Sequence, residues 1–225
     1  GFGNVSPALF IPQAEQLGLM PDLTYHLLSL AVGDIRREVE KNPGFTVAVN
    51  ISGSLLNDLM LPERIESVLN EHGVAPQALI VEVTESVAMS DVERAMDILV
   101  RLRIKGIGAS IDDFGTGFSS LSALARLPFN ELKIDQSFAR NCDRDPDMSK
   151  IVQASIGLAR AFGMKVVAEG IENPRALAKL RDAGCDTAQG YLFAPSLKIE
   201  RVARWMSRWH DDITGHRSAM FRSPG

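Results

Sequence analysis

Six short apolar runs, TVAVN, LIVE, ASID, LK, VVAE and TAQ, each close on one polar side chain: Asn50, Glu82, Asp112, Lys133, Glu169 and Gln189. Helix-like stretches separate the runs, which is the alternation of parallel strands joined by helical crossovers. Parallel strands that close into a barrel share one face at their C-terminal ends, so residues far apart in sequence gather at one mouth. Three of the six are carboxylates. The pattern predicts an α/β protein of the (β/α)8 barrel kind.

Side-chain parity sharpens the expectation. In the first run Thr46, Ala48 and Asn50 share one face against Val47 and Val49, and in the next Ile80 and Glu82 oppose Leu79 and Val81. Ser110 and Asp112 likewise oppose Ala109 and Ile111. Helices are expected over residues 61–72, 91–105, 119–127, 148–162, 174–183 and 199–209, with Gly106, Gly163 and Gly184 as stops. Near the start, two prolines in NVSPALFIPQAEQLGL limit helix, and a packing helix over 23–40 presents Leu23, Leu27, Leu30, Ile35 and Val39. Residues 1–209 read as one domain, and 210–225 as a polar, weakly ordered tail.

Composition narrows the function. The 225 residues are 45% hydrophobic and 23% charged, enough for a sizeable core. With 24 basic against 28 acidic residues the net charge is -4, which argues against a polymeric nucleic acid held by phosphate neutralisation. A small anionic ligand is compatible if cations supply the positive charge. The sequence shows neither a signal core nor a membrane-length apolar stretch, so a cytoplasmic domain is expected, with a membrane anchor elsewhere in a parent protein left open. Cys142 and Cys185 lie in unlike contexts and read as unpaired thiols.

The sharpest segment is IDDFGTGFSS, residues 111–120, where a strand ends in paired carboxylates and enters a glycine-rich turn. Asp112 faces the mouth, and Asp113 can swing to it where the pleat gives way to a loop. Two carboxylates ~4 Å apart repel by about 4 kcal/mol at an effective dielectric of about 20, which favours a bound cation. Taken alone, the pair is better read without a metal, Asp113 capping the next helix and Asp112 solvating the loop. Glu82, Glu169 and Asn50 add oxygen donors at other strand ends, a set suited to Mg²⁺ or Mn²⁺. None of the four histidines ends a strand, so zinc and an imidazole base are not indicated. Lys133 is suited to holding a water or phosphate oxygen, forming a Schiff base, or making a structural ion pair. Glu85, just before a helix, either holds a neighbouring loop or favours the helix N-terminus.

The ordered segments VSPALFIPQAEQLGL, VAVNIS, VEVTES, IDDFGTGFSSL, LPFNELKIDQSF, VVAEGIE and CDTAQGYLFAPSL resemble the EAL domain, a bacterial cyclic di-GMP phosphodiesterase family. The resemblance runs from Val5 to about Leu197. It implies a modified TIM barrel that hydrolyses cyclic di-GMP to linear pGpG with two Mg²⁺ or Mn²⁺ ions, Ca²⁺ supporting binding but not turnover. By that similarity Asn50, Glu82 and Asp112 are metal ligands, Asp112 bridges the ions, and Asp113 serves the second. Glu169 falls near the second ion and the attacking water, and Lys133 on the position that holds and helps activate that water. Gln189 and Asp135 fall on substrate-binding positions, and Glu85 on the anchor of the loop after Asp113. Gly115, Thr116 and Gly117 belong to that loop, with Glu172 in a supporting role. Phe114 and Phe193 are candidates for stacking on guanine.

The family's Glu-Ala-Leu signature lies shortly before the segment matching VSPALFIP, and the given residues start after it. Only six of about eight barrel strands can be counted, so an N-terminally truncated domain is expected. Without the signature glutamate, the alternative is a catalytically silent cyclic di-GMP receptor. A TIM-barrel lyase built on Lys133 is the third reading. The resemblance further implies a homodimer through the loop and helix after Asp113, and sensory or regulatory domains in the parent protein.

Overall fold

The structure is a computed structural model that describes residues 5–117 and 121–215. All six expected strands form: β1 (Val47–Asn50), β2 (Leu79–Thr84), β3 (Gly108–Phe114), β4 (Glu131–Ile134), β5 (Lys165–Ala168) and β6 (Thr187–Ala188). The helices are α1 (Pro7–Gln16), α2 (Met20–Lys41), α3 (Gly53–Leu56), α4 (Leu61–His72), α5 (Glu85–Ser90) and α6 (Val92–Ile104). They continue with α7 (Leu121–Leu124), α8 (Gln136–Ala139), α9 (Pro146–Ala161), α10 (Pro174–Ala183) and α11 (Ile199–Gly215). The chain divides into two compact units, Gly1–Lys133 with Phe162–Met164, and Ile134–Ala161 with Lys165–Gly225.

In the first unit the strands follow chain order, and β1, β2 and β3 pair in parallel. Register sets Asn50 opposite Glu82 and Glu82 opposite Ser110, so Asp112 stands one pleat further along β3. Leu79, Val81 and Val83 on the other face of β2 are fully buried, with Ile65 and Leu69 of α4 and Ile98, Leu99 and Leu102 of α6 also in the core. Each such side chain contributes about 1.5–3 kcal/mol of burial. Lys105 reaches Glu66 at 2.6 Å, and Arg101 pairs with Glu63, which ties α6 to α4.

Two expectations for this unit are corrected. The prolines do not prevent α1: Pro7 takes the first helical position, where an N–H has no intrahelical partner, and Pro12 removes only one bond further in. The core-facing stripe of α2 is Thr24, Leu28, Val32 and Ile35, at i, i+4, i+8 and i+11, while Leu27 and Leu30 are about half exposed. The apolar residues of this helix cover more than one face: of the expected set Ile35 is buried, Leu23 and Val39 are half-buried, and Leu27 and Leu30 lie on the outer face.

In the second unit β5 and β6 pair in parallel, Ala168 opposite Ala188. Val152, Ile156 and Ala159 of α9 and Ala176 and Leu180 of α10 are buried. Asn173 caps α10 by accepting the Ala176 N–H at 2.8 Å, and Gly184 ends that helix in the left-handed conformation. Helix α11, read as ending at Trp209, runs to Gly215. The reading of a weakly ordered tail beyond residue 215 lies outside the described residues, as does that of a helix start at Ser119. No helix among the described residues is long and apolar enough to cross a membrane.

Candidate active site

Strands β2, β3 and β4 bring three predicted residues of the first unit together. Lys133 Nζ lies 2.7 Å from Glu82 Oε1 and 3.1 Å from Asp112 Oδ1, and all three side chains are buried. Burying charges is costly unless they are paired, and here one ammonium answers two carboxylates. The pleat explains the meeting: Glu82 and Asp112 share one face of the sheet, separated along β3 by Ser110. Ser110 Oγ is also buried and has no hydrogen-bond partner among the described residues. Asn50 is in register with Glu82 but exposed at the end of β1.

Asp113 is the one non-glycine residue with positive φ, +55°, among those described. Its N–H donates to Asp112 Oδ1 at 3.0 Å, and its carbonyl accepts the Thr116 hydroxyl at 2.8 Å. Asp113 thus lies inside β3, one residue before its end, and not in the loop expected; the positive φ within the strand supplies the swing, and the two aspartates offer oxygens within 4.8 Å of each other. The loop beyond them is held from β2's side. Glu85, 2% exposed, accepts the Gly115 N–H at 2.8 Å, and a Cβ at Gly117 would stand 3.2 Å from its other oxygen. Glu85 therefore does more than begin α5.

In the second unit Gln189 donates from Nε2 to Glu169 Oε1 at 2.6 Å. The Glu169 N–H donates to the Ile134 carbonyl, which fixes the backbone just beyond β5. Glu172 pairs with Arg140. Asp135 Oδ1 accepts the Ser137 N–H at 2.9 Å, so its carboxylate caps α8. Phe114 is buried and Phe193 packs edge-on against Trp209 with ring centres 5.5 Å apart, so neither is the exposed platform expected for a base. Tyr191, 70% exposed, is such a surface, and the sequence reading passed over it. Gln136 and Arg140 line, with Glu169 and Gln189, a cavity of about 410 Å³ in the second unit, which nothing in a run of mixed polar residues marks in the sequence.

Cys142 and Cys185 are free, as expected. Burial pushes both thiols up, that of Cys185 to about 11, so neither is a ready nucleophile.

An α/β domain with carboxylates and a lysine buried at the ends of parallel strands is the class this geometry defines. The family model described as EAL domain matches residues 2–196, and the chain belongs to that family. A cyclic di-GMP phosphodiesterase of Pseudomonas aeruginosa, PA2567, is 37% identical over 92% of this chain and 35% of its own. The bifunctional diguanylate cyclase/cyclic di-GMP phosphodiesterase MucR of the same organism is 37% identical over 89% of this chain and 29% of its own. The solved structure of the PaMucR phosphodiesterase in its c-di-GMP complex superposes with a TM-score of 0.84, at 37% identity, over 88% of this chain and 81% of that one. The fold is thus the TIM-barrel-like α/β fold of these proteins. The chain spans 27% to 35% of the length of the first curated relatives it matches.

Proposed function

We propose that this domain is a metal-dependent phosphodiesterase that hydrolyses one phosphodiester bond of cyclic di-GMP to give linear pGpG. The observation that carries the reading is the buried meeting of Lys133 with Glu82 and Asp112 in a chain of the EAL family. Water-activating groups at such a place have no use in a protein that only binds its ligand.

The donor set fits Mg²⁺ or Mn²⁺. Carboxylates and an amide oxygen make up the first unit's candidates, with neither histidine nor thiolate among them, which suits hard cations. We assign Asn50, Glu82, Asp112 and Asp113 to two such ions, and Glu169 to the second of them. When bound, the ions would offset the phosphate's charge and lower the pKa of a bound water.

The chain's own residues do the rest. Lys133 donates hydrogen bonds to the attacking water and orients it, while the neighbouring carboxylates accept from it. The water oxygen bonds to phosphorus as the bond to the ribose 3′ oxygen breaks. The proton that water loses balances the one the leaving oxygen gains. Gln189 holds Glu169 in place, and Glu85 holds the loop after Asp113 through Gly115. Asp135 supports the substrate side by fixing α8. Exposed Leu121 next to that loop suits a homodimer through this segment. The same reading takes in regulatory domains in the parent protein and a cytoplasmic setting.

The test is incubation with Mn²⁺ and cyclic di-GMP, followed by separation of the nucleotides. Appearance of pGpG is expected. Binding without turnover would mark a receptor, and no binding would leave only the fold.

A further inference from the structure

Basic charge gathers toward the end of the chain. Residues 198–225 carry six basic and three acidic side chains, a charge of +3, while residues 1–197 carry 18 and 25, a charge of -7. Three of the basic ones form a row on α11: Arg201, Arg204 and Arg208 follow at intervals of three and four, so they stack along one side of the helix over about 10 Å. All three are exposed, and none has an ion-pair partner among the described residues. On other helices the exposed Arg36, Arg94 and Arg181 each face a carboxylate, of Glu40, Asp91 and Asp182. A solvated face offsets its charges in that way, and this row does not.

The neighbouring flank of α11 explains what holds the row outward. Val202, Trp205, Met206 and Trp209 recur at i, i+3, i+4 and i+7 and are half-buried. Trp209 meets Phe193 edge-on with ring centres 5.5 Å apart and stacks on Trp205 at 5.7 Å. The aromatic stripe is thereby seated on its own unit, still partly open to water, with the arginines beside it. A straight row of unpaired guanidinium groups next to indole rings suits a flat anionic surface. The guanidinium fork takes phosphate oxygens two at a time, and indoles favour the headgroup level of a bilayer. Helices that lie in the plane of a membrane combine these two features. A docking protein would need relief to match, which three arginines in line do not offer.

We infer that this flank of α11 is a docking surface for anionic phospholipid, with Arg201, Arg204 and Arg208 on the headgroup phosphates and the open edges of Trp205 and Trp209 at the interface. The helix then rests in the plane of the surface and does not cross it, in keeping with its length and charge. The inference is independent of the reaction proposed above.

Trp205 and Trp209 are the only tryptophans of the chain, so indole fluorescence reports on this helix alone. The experiment titrates the chain, at low salt, with vesicles of phosphatidylcholine and with vesicles of phosphatidylcholine and phosphatidylglycerol in equal parts. The mixed vesicles should shift the emission to the blue and bind about a hundredfold more tightly than the neutral ones, at about fivefold for each arginine. Added salt should erase the difference. Arg201→Gln, Arg204→Gln and Arg208→Gln combined should lose the preference while keeping the wild-type denaturation midpoint. Arg37→Gln, at an exposed arginine of α2, should keep it. Equal binding to both vesicles, or an undiminished preference in the triple variant, overturns the inference. No binding to either overturns it as well, and retention of the wild-type chain but not the triple variant on polyglutamate would then give the row to an acidic protein.

Discussion

Lys133 Nζ and Glu82 Oε1 lie 2.7 Å apart, with side chains only 5% and 9% exposed, so each offsets part of what the other loses on leaving water. Replacing Lys133 with Met should leave Glu82 and Asp112 buried without their cation. Removing one member of a buried pair destabilises by about 3–5 kcal/mol. Urea denaturation measures this, and added Mn²⁺ should return part of the loss if the carboxylates are metal ligands. A variant as stable as the wild type would show that the pair has little energetic role.

Asp112→Ala removes the proposed shared ligand of two ions. Turnover of cyclic di-GMP in Mn²⁺ should fall by at least about a hundredfold, a loss that even outer ligand partners can cause. Product analysis by chromatography gives the number, and near-normal pGpG formation would remove Asp112 from the reaction.

Ser110→Ala tests the opposite case, a polar group without a partner. Its buried hydroxyl should forfeit hydrogen bonds to water on folding, so its removal is expected to be neutral or to stabilise by about 1 kcal/mol. A marked loss of stability would mean that the hydroxyl is engaged by an ordered water.

Cys185 should resist alkylation at neutral pH in the folded protein, with the rate rising toward pH 11 and becoming fast on unfolding. The sign for stability follows from the same shift. The folded thiol holds its proton more tightly than the unfolded one, whose ordinary value is 9.0, so this contribution is intact below pH 9 and is lost as the pH climbs toward 11. Iodoacetamide kinetics over pH, with and without urea, measure the first point, and denaturation midpoints the second.

Gly190→Ala should be among the most damaging single changes in the second unit. The added Cβ would meet Ile171 backbone atoms at 2.2 and 2.3 Å, and φ is +154°, so about 1–3 kcal/mol of strain adds to the clash. The melting temperature should drop accordingly; an unchanged value would mean the loop can yield.

The strands were legible because each combines an apolar run with a polar end, and α4 and α10 agree with the sequence reading to the residue, Leu61–His72 and Pro174–Ala183. Their prolines near the start and glycines just past the end leave little freedom. Helices α3, α5 and α8 escaped notice, since four to six residues hold too few turns for a period to emerge. At the site, Glu82, Asp112 and Lys133 could be read from strand ends because parity constrains their direction. Tyr191 and Arg140 could not, since loops from distant positions assemble the cavity wall and neither residue has a distinctive neighbour. The exposure of Asn50 was also hidden, because parity says which way a side chain points and not what stands over it.

The left-handed backbone at Asp113 restricts what mutagenesis can teach there. Alanine or leucine would alter the carboxylate and distort the turn together, so any deficit would have two causes. Asparagine tolerates the same φ and keeps the side-chain shape, isolating the charge, whereas glycine relieves the torsion and deletes the side chain. Comparing those two substitutions separates chemistry from conformation at this position.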